Sequence, residues 1–268
     1  MNVGVDIGIT TTKIAGLNGK TAEGFCTVPA SDPVASASAA LGRFLSDLGL
    51  PLSAIQRLAV TGMGSGALPE ELLGVPCVRV GEFLATGRGG LCLSGLRQAI
   101  VVSMGTGSAI VRAAADGVRH LGGSGVGGGT LLGLAHCILH TTDFPAILEA
   151  AAGGSLANVD LQVRDILRAD IGTLPGHATA SNFGKLSGRP SRGDYALGIL
   201  NLVFQTIGLL AAFAARQEGL PDIVLTGKLT AVPQAREIFA GFTGLYPVTF
   251  HFPEHAEYAT AVGAALSL

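Results

Sequence analysis

Tryptophan is absent from the chain, and aromatic residues make up only 5% of its 268 positions. A surface that stacks unpaired bases is therefore poorly provided for. Charge is scarce too: Asp, Glu, Lys and Arg are 13% of the residues, and the net charge is -2 with no Lys/Arg cluster. Phosphate-backbone binding needs a positive field, so nucleic acid is not an expected partner. The four cysteines, Cys26, Cys77, Cys92 and Cys137, stand far apart with no CxxC pair. That spacing suits neither a zinc nor an iron–sulfur site and reads as free thiols. Asp6 and Lys13 interrupt the N-terminal segment, which has no cationic stretch leading into an apolar run. A cytoplasmic location is the expectation. Disorder is excluded by a hydrophobic content of 48%, enough for a substantial core. A small molecule is the remaining kind of ligand.

Glycine, by contrast, is abundant, with 40 residues and no G-X-Y period. The first sixteen residues, MNVGVDIGITTTKIAG, use it most tellingly. Val3 and Val5 alternate with Gly4 and lead into Asp6, a buried strand that ends at a carboxylate. Gly8 then turns the chain, and Thr10, Thr11, Thr12 and Lys13 precede the returning strand. Such a turn can aim successive N–H groups at an anion. Three hydroxyls and a lysine add donors for phosphate oxygens, and Asp6 can hold a hydrated Mg2+. On this stretch alone, a plain edge hairpin with a polar tip remains the alternative.

The pattern continues with a strand over residues 20–28 and an Ala-rich helix over 33–48, capped by Asp32 and opened by Pro33. Strands follow at 55–61 and 75–80, then a helix from near Glu82. Residues 98–104 start the cycle again: strand, GTGS turn, returning strand at 110–113, third strand from 118. Two halves that open alike indicate an internal duplication, with its boundary near 93–96. The glycine-dense stretch from Gly122 to Gly129 feeds an apolar helix beginning near Thr130, an arrangement that favours anions. It fits neither the P-loop nor the dinucleotide fingerprint. Helices are expected over 143–174, with 160–167 the clearest amphipathic piece, and a polar connector over 175–193. Residues 195–215 carry no charge and are long enough to cross a bilayer. Asn201 and Gln205, one turn apart, favour a core or dimer-interface helix instead. A strand at 222–226 ends at Gly227-Lys228; a helix over 233–242, a strand at 248–252 and an Ala-rich helix from Glu257 finish the chain.

The loops DIGITTTK, GTGS and LTGK resemble the phosphate-1, phosphate-2 and adenosine elements of the actin and sugar-kinase superfamily. More narrowly, the chain resembles the type II pantothenate kinases, nearly end to end. The likeness runs in order through DIGxTxxK, GEF, GTGSA, RHLGGSGVGGGTLLGL, the TDF turn, DLQVRDI, ASNFG and LTGK. It implies an α/β fold of two ribonuclease-H-like (actin-like ATPase) domains with mixed five-stranded sheets and ATP in the cleft between them. The domains would span 1–94 and 95–268, with the last helix packing back towards the first. The implied activity is ATP-dependent phosphorylation of pantothenate to 4′-phosphopantothenate, the first step towards coenzyme A, by a homodimer.

Residue by residue, the resemblance makes Glu82 of GEF the catalytic base and a substrate contact. A carboxylate suits that role, since it can accept a primary alcohol's proton; without the resemblance, a first-turn glutamate favoured by the helix dipole is the plainer reading. ATP contacts fall on Asp6, Gly8, Ile9, Thr10, Thr11, Thr12, Lys13, Thr106, Gly128, Gly129, Thr130, Leu131, Leu132, Phe144 and Lys228. Mg2+ would be held by Asp6 through water. Three positions depart from the family pattern: Ile9 replaces a glycine, Phe144 a tyrosine, and His120 a substrate-contacting arginine. Arg119 is adjacent, but neighbouring strand residues face opposite sides. A kinase of another small alcohol is one alternative. The other is a non-catalytic ATP switch, like the radical-dehydratase activators of the same superfamily.

Overall fold

The computed structural model of the chain describes residues 1–167 and 175–268. The first half runs β1 (Asn2–Ile7), β2 (Thr11–Asn18), β3 (Thr21–Pro29), α1 (Pro33–Leu48), β4 (Leu58–Thr61), β5 (Glu71–Leu72), β6 (Val75–Arg79) and α2 (Glu82–Ser94). The second begins with β7 (Ala99–Met104), β8 (Ser108–Ala114), β9 (Gly117–Ser124), α3 (Gly128–Leu139), α4 (Phe144–Ala152), β10 (Leu161–Gln162) and α5 (Val163–Ile166). It ends with β11 (Thr179–Ser181), α6 (Arg192–Glu218), β12 (Asp222–Thr226), α7 (Pro233–Thr243), β13 (Thr249–His251) and α8 (Ala259–Ala265).

One sheet has the order β3-β2-β1-β4-β6-β5, the other β13-β12-β7-β8-β9. In each, an antiparallel meander is extended by two strands parallel to its first strand. The same topology therefore occurs twice, as the repeated strand–turn–strand openings indicate. The first sheet carries one strand more than expected, because Leu73 and Gly74 adopt positive φ and fold the two-residue β5 onto β6.

Strand alternation gives each sheet two faces. Val3, Val5 and Ile7 pack with Ala37, Ala40, Leu41 and Phe44 of α1. That helix starts where Asp32 Oδ1 accepts from Ala35 N at 2.9 Å and stops at Gly49, whose φ is 64°. On the second sheet, Ile100, Val102 and Met104 pack with Leu131, Ile147, Phe204 and Phe239 of four helices. Among these, α6 is long and apolar enough to cross a membrane, but 61% of its most apolar stretch is buried within the protein. Its Asn201 amide donates to Asp160 Oδ2 at 2.8 Å, and Gln205 Oε1 accepts from Asn182 at 3.2 Å. The polar pair thus marks a core helix.

Two expectations are corrected. Residues 160–167 form no continuous amphipathic helix: β10 precedes a single turn, α5, and the buried Asp160 accepts from Asn201, Thr179 and Phe183 N. The polar connector contains β11, which pairs with β10. Short polar runs read as linkers because their pairing partner is remote in sequence. The part of the expected 143–174 helices on residues 168–174 lies outside the described residues.

Between the sheets, α2 and α8 cross, each packed on the sheet of the other half. Ala261, Val262 and Ala265 of α8 join Ala15 and Leu17, whereas Leu91 of α2 lies against Val101, Val111 and Val224. The crossing is a backbone contact. A Cβ at Gly89 would overlap the Ala259 carbonyl, and one at Gly263 the Ala85 carbonyl. Gly263→Val is expected to destabilise the fold by about 3 kcal/mol or more in urea denaturation. Gly42→Ala, in the exposed interior of α1 with open space around it, should stabilise it by roughly 0.5–1 kcal/mol.

Candidate active site

Asp6 lies one residue before the end of β1, paired with Lys13 on β2 and Thr61 on β4. The turn beyond it closes when Gly8 N donates to Thr11 O at 3.1 Å, leaving Ile9 and Thr10 exposed at the tip. Thr12 does not face this tip. It pairs with Ile7, is fully buried, and donates its hydroxyl to Ser36 Oγ of α1 at 3.0 Å. The strand period divides the predicted phosphate donors: Lys13 shares a face with Asp6, and Thr12 is committed to the core behind them.

Burial pushes the Asp6 carboxyl up to about 6; Lys13 opposes the shift and Glu82 adds to it. Asp6, Lys13 and Glu82 therefore share one electrostatic neighbourhood. Glu82 is exposed in the first turn of α2, behind Gly81, which provides no side-chain cap. No hydrogen-bond donor among the described residues helps hold the Asp6 charge. Its lone pairs thus suit a hydrated Mg2+, which keeps most of its waters and takes further ligands from phosphates. No group of three or more His, Cys, Asp and Glu that could hold a metal ion converges among the described residues.

The other predicted residues meet at the end of β7. Gly128 N donates to Gly105 O and Gly129 N to Thr106 O, both at 2.8 Å. Gly127 N donates to Thr130 Oγ1 at 3.2 Å. The amides at the start of α3, expected to be open to an anion, are thus largely engaged by the β7–β8 loop. Glycine causes this: a Cβ at Gly127 would come within 2.6 Å of the Thr106 and Gly107 carbonyls. The glycine-dense stretch also starts as strand, since Gly122 and Gly123 belong to β9, and the helix begins at Gly128 rather than Thr130. Leu131 is fully buried and Leu132 partly so, both in the second core. Phe144 opens α4 behind the Asp143 cap and packs on that core.

Gly227, at φ 91°, lies over Met104 and leaves Lys228 exposed. Leu229 lies beside Gly128, which joins the Lys228 loop to the start of α3. Arg119 is turned away, with Nη2 2.6 Å from Glu218 Oε2. His120 instead lies flat on Phe83, ring centroids 3.9 Å apart and planes 5° from parallel.

Sequence reasoning places a GMGSG loop after β4 but assigns no role to it or to Phe83. That turn repeats the one at Gly227. Gly62 has φ 85°, and Ser65 Oγ donates to Gly62 O at 2.6 Å as Thr230 Oγ1 does to Gly227 O at 2.7 Å. The shared Thr-Gly pair at the two strand ends, VTGMGS and LTGKLT, was the available signal.

A family model described as Fumble matches residues 98–267. The chain belongs to the Fumble family, that of the type II pantothenate kinases. A type II pantothenate kinase of Staphylococcus haemolyticus (strain JCSC1435) is 26% identical over 276 residues, 98% of each chain. That of Staphylococcus aureus (strain USA300) is 26% identical over 220 residues, 78% of this chain and 82% of its own. Among solved structures, (R)-2-hydroxyglutaryl-CoA dehydratase component A of Acidaminococcus fermentans matches 99% of this chain and 96% of its own, with TM-score 0.73 and 18% identity. The activator of the 2-hydroxyisocaproyl-CoA dehydratase of Clostridium difficile, with bound ADPNP, matches 99% and 93%, with TM-score 0.70 and 17% identity. A ROK hexokinase of Thermus thermophilus matches 99% and 97%, with TM-score 0.58 and 15% identity. At such identities the likeness is one of fold, two ribonuclease-H-like halves of the actin-like ATPase kind.

The raised Asp6 pKa in this Fumble-family protein fixes a sign. Native Asp6 holds its proton well above the ordinary value of 3.8. This group's contribution to stability is therefore most favourable below pH 4 and is lost as pH rises towards 6. Asp6→Asn should be more stable than wild type at pH 7.5 by up to about 3 kcal/mol, less to the extent that water screens the carboxylate. The gap should close by pH 4 when urea midpoints are compared across that range.

Proposed function

We propose that this protein phosphorylates the primary hydroxyl of pantothenate with ATP. The observation that carries the reading is the electrostatic neighbourhood of Asp6, which pairs with Lys13 across the β1–β2 hairpin and whose pKa Glu82 helps to raise. The names of the Staphylococcus relatives support the choice of acceptor. In this reading the units are residues 1–94 and 95–268, and the nucleotide lies between the Gly8 turn and the loops at Thr106 and Lys228.

Glu82 accepts the proton of the alcohol as its oxygen attacks the γ-phosphorus, and ADP leaves with the electron pair of the broken bond. The tip amides, Thr10, Thr11 and Lys13 hold the phosphates, while Lys228 and the Phe144 ring bound the nucleoside side. Thr12 acts from behind, by fixing β2 to α1 through Ser36. A hydrated Mg2+ held by Asp6 supplies neutralising charge to the phosphates when bound. His120 meets the acceptor with an imidazole where a guanidinium would offer two parallel donors.

ADP release with Mg-ATP and pantothenate tests the reading. Glu82→Gln should lower kcat by about 10²–10⁴-fold while ATP still binds. His120→Arg should lower KM for pantothenate about tenfold, the gain of one charge-assisted hydrogen bond. Turnover that ignores pantothenate but depends on a different alcohol would reassign the acceptor and keep Glu82. A second reading, an ATP-driven switch, draws on the likeness to the dehydratase proteins. ATP binding without alcohol-dependent ADP release in wild type would favour it.

A further inference from the structure

The first turn of α2 has little to hold it. Gly81 gives it no side-chain cap, and Gly81, Glu82 and Phe83 are all exposed. From Ala85 onward the helix is clamped. Gly87 is pressed on Val118 and Ala113, Gly89 on α8, and Gly90 on Val101. A helix fixed at its body and open at its start can place a first-turn carboxylate in more than one position. The aromatic contact of that turn is the Phe83–His120 stack, at 3.9 Å and 5°.

His120 is brought there by an irregularity in β9. Ile110 pairs with Gly122 but Val111 pairs with His120, so Leu121 is an extra residue and Gly122 takes φ 154°. A bulge of this kind re-aims the neighbouring side chain. Arg119, one residue earlier, pairs with Arg112 and is drawn to Glu218 on the far side. The imidazole is left facing α2, on the side where Val118 meets Gly87.

We propose that Phe83 is a positioning residue for Glu82: stacked on His120, it pins the uncapped first turn of α2 to β9, and with it the Glu82 carboxylate. The inference rests on the reading of Glu82 as the base and deepens it. One stack then sets two groups at once, the carboxylate that takes the proton and the plane of the ring that meets the acceptor. With one face covered by Phe83, the imidazole keeps its ring nitrogens for in-plane hydrogen bonds. Misplacing a reacting group by about 1 Å can cost up to 10²-fold in rate, so the effect belongs in kcat.

Phe83→Leu removes the stack and keeps an apolar helix former; Phe83→Tyr keeps the ring. In the free protein, NMR should show the His120 Hε1 resonance losing its ring-current shift in Phe83→Leu. Amide order parameters of residues 82–84 should fall at the same time, with both quantities kept in Phe83→Tyr. In ADP release, Phe83→Leu should lower kcat by about ten- to hundredfold with KM for ATP unchanged, and Phe83→Tyr should recover most of it. In a Glu82→Gln background, Phe83→Leu should cost nothing further. Unchanged order in Phe83→Leu overturns the pinning, whatever the turnover. Lost order with unchanged kcat, or an undiminished loss in the Glu82→Gln background, overturns the action through Glu82. If wild type turns over no alcohol while the NMR effects appear, the kinase reading is what fails, and Phe83 is left as a structural clasp without a positioning role.

Discussion

The contact on which the rest depends is the backbone crossing of α2 and α8. Two sheets that each bury one face against their own helices still have a second apolar face to cover. One helix from each half covers the other half's sheet, and the two must pass through the same narrow layer. Gly89 and Gly263 let each backbone rest on the other's carbonyls, and Gly4 lets α8 lie on β1. Side chains there would hold the helices apart and open both sheets to solvent. Glu82, at the start of α2, adds to the upward shift of the Asp6 pKa, so the two carboxylates share one electrostatic neighbourhood.

This geometry explains why so much glycine is needed and why its meaning was only partly legible. Gly8 does what its sequence context suggests, closing a turn with an exposed tip. The glycines at 127–129 look like the same device, a loop feeding a helix N-terminus, yet their amides are largely taken by the β7–β8 loop. A missing Cβ permits close approach by a ligand or by the protein's own backbone, and a single sequence does not distinguish the two. Only the placement of residues 105–107 does.

Local patterns fared better. Asp32 and Pro33 predicted the start of α1, and its expected end at Leu48 is where Gly49 turns to φ 64°. The alternation of Val3 and Val5 with Gly4 predicted a buried strand, which runs one residue past Asp6 to Ile7, and the repeated strand–turn–strand units predicted the duplicated sheets. Where pairing is remote, the reading lost its footing. Residues 160–162 and 179–181 find each other across sixteen intervening residues, and their hydrogen bonds to Asn201 lie further still along the chain. The site divides the same way. Asp6 and Lys13 were legible because hairpin register puts them side by side. Phe83 was not, since its partner His120 lies 37 positions on and is aimed by a bulge, and register shifts leave no clear mark in composition.

The two sheets treat equivalent positions differently. Parallel register sets Asp6 beside Thr61 in the first sheet and Ser103 beside Thr226 in the second. Opposite Asp6 stands Lys13; opposite Ser103 stands Ala109. The Thr-Gly turns are nearly superposable in dihedral terms, at φ 85° and 91°. Their threonines differ, however. Thr226 donates to Val102 O at 3.1 Å, while the buried Thr61 hydroxyl has no partner among the described residues. In the second half, every one of these positions has been neutralised or satisfied within the protein. In the first half they keep a charge pair and an unspent hydroxyl, groups that are costly to bury unless something binds them. In the proposed reading, that imbalance suits the β1–β4 side to the reacting phosphates and the β7–β12 side to the remainder of the nucleotide.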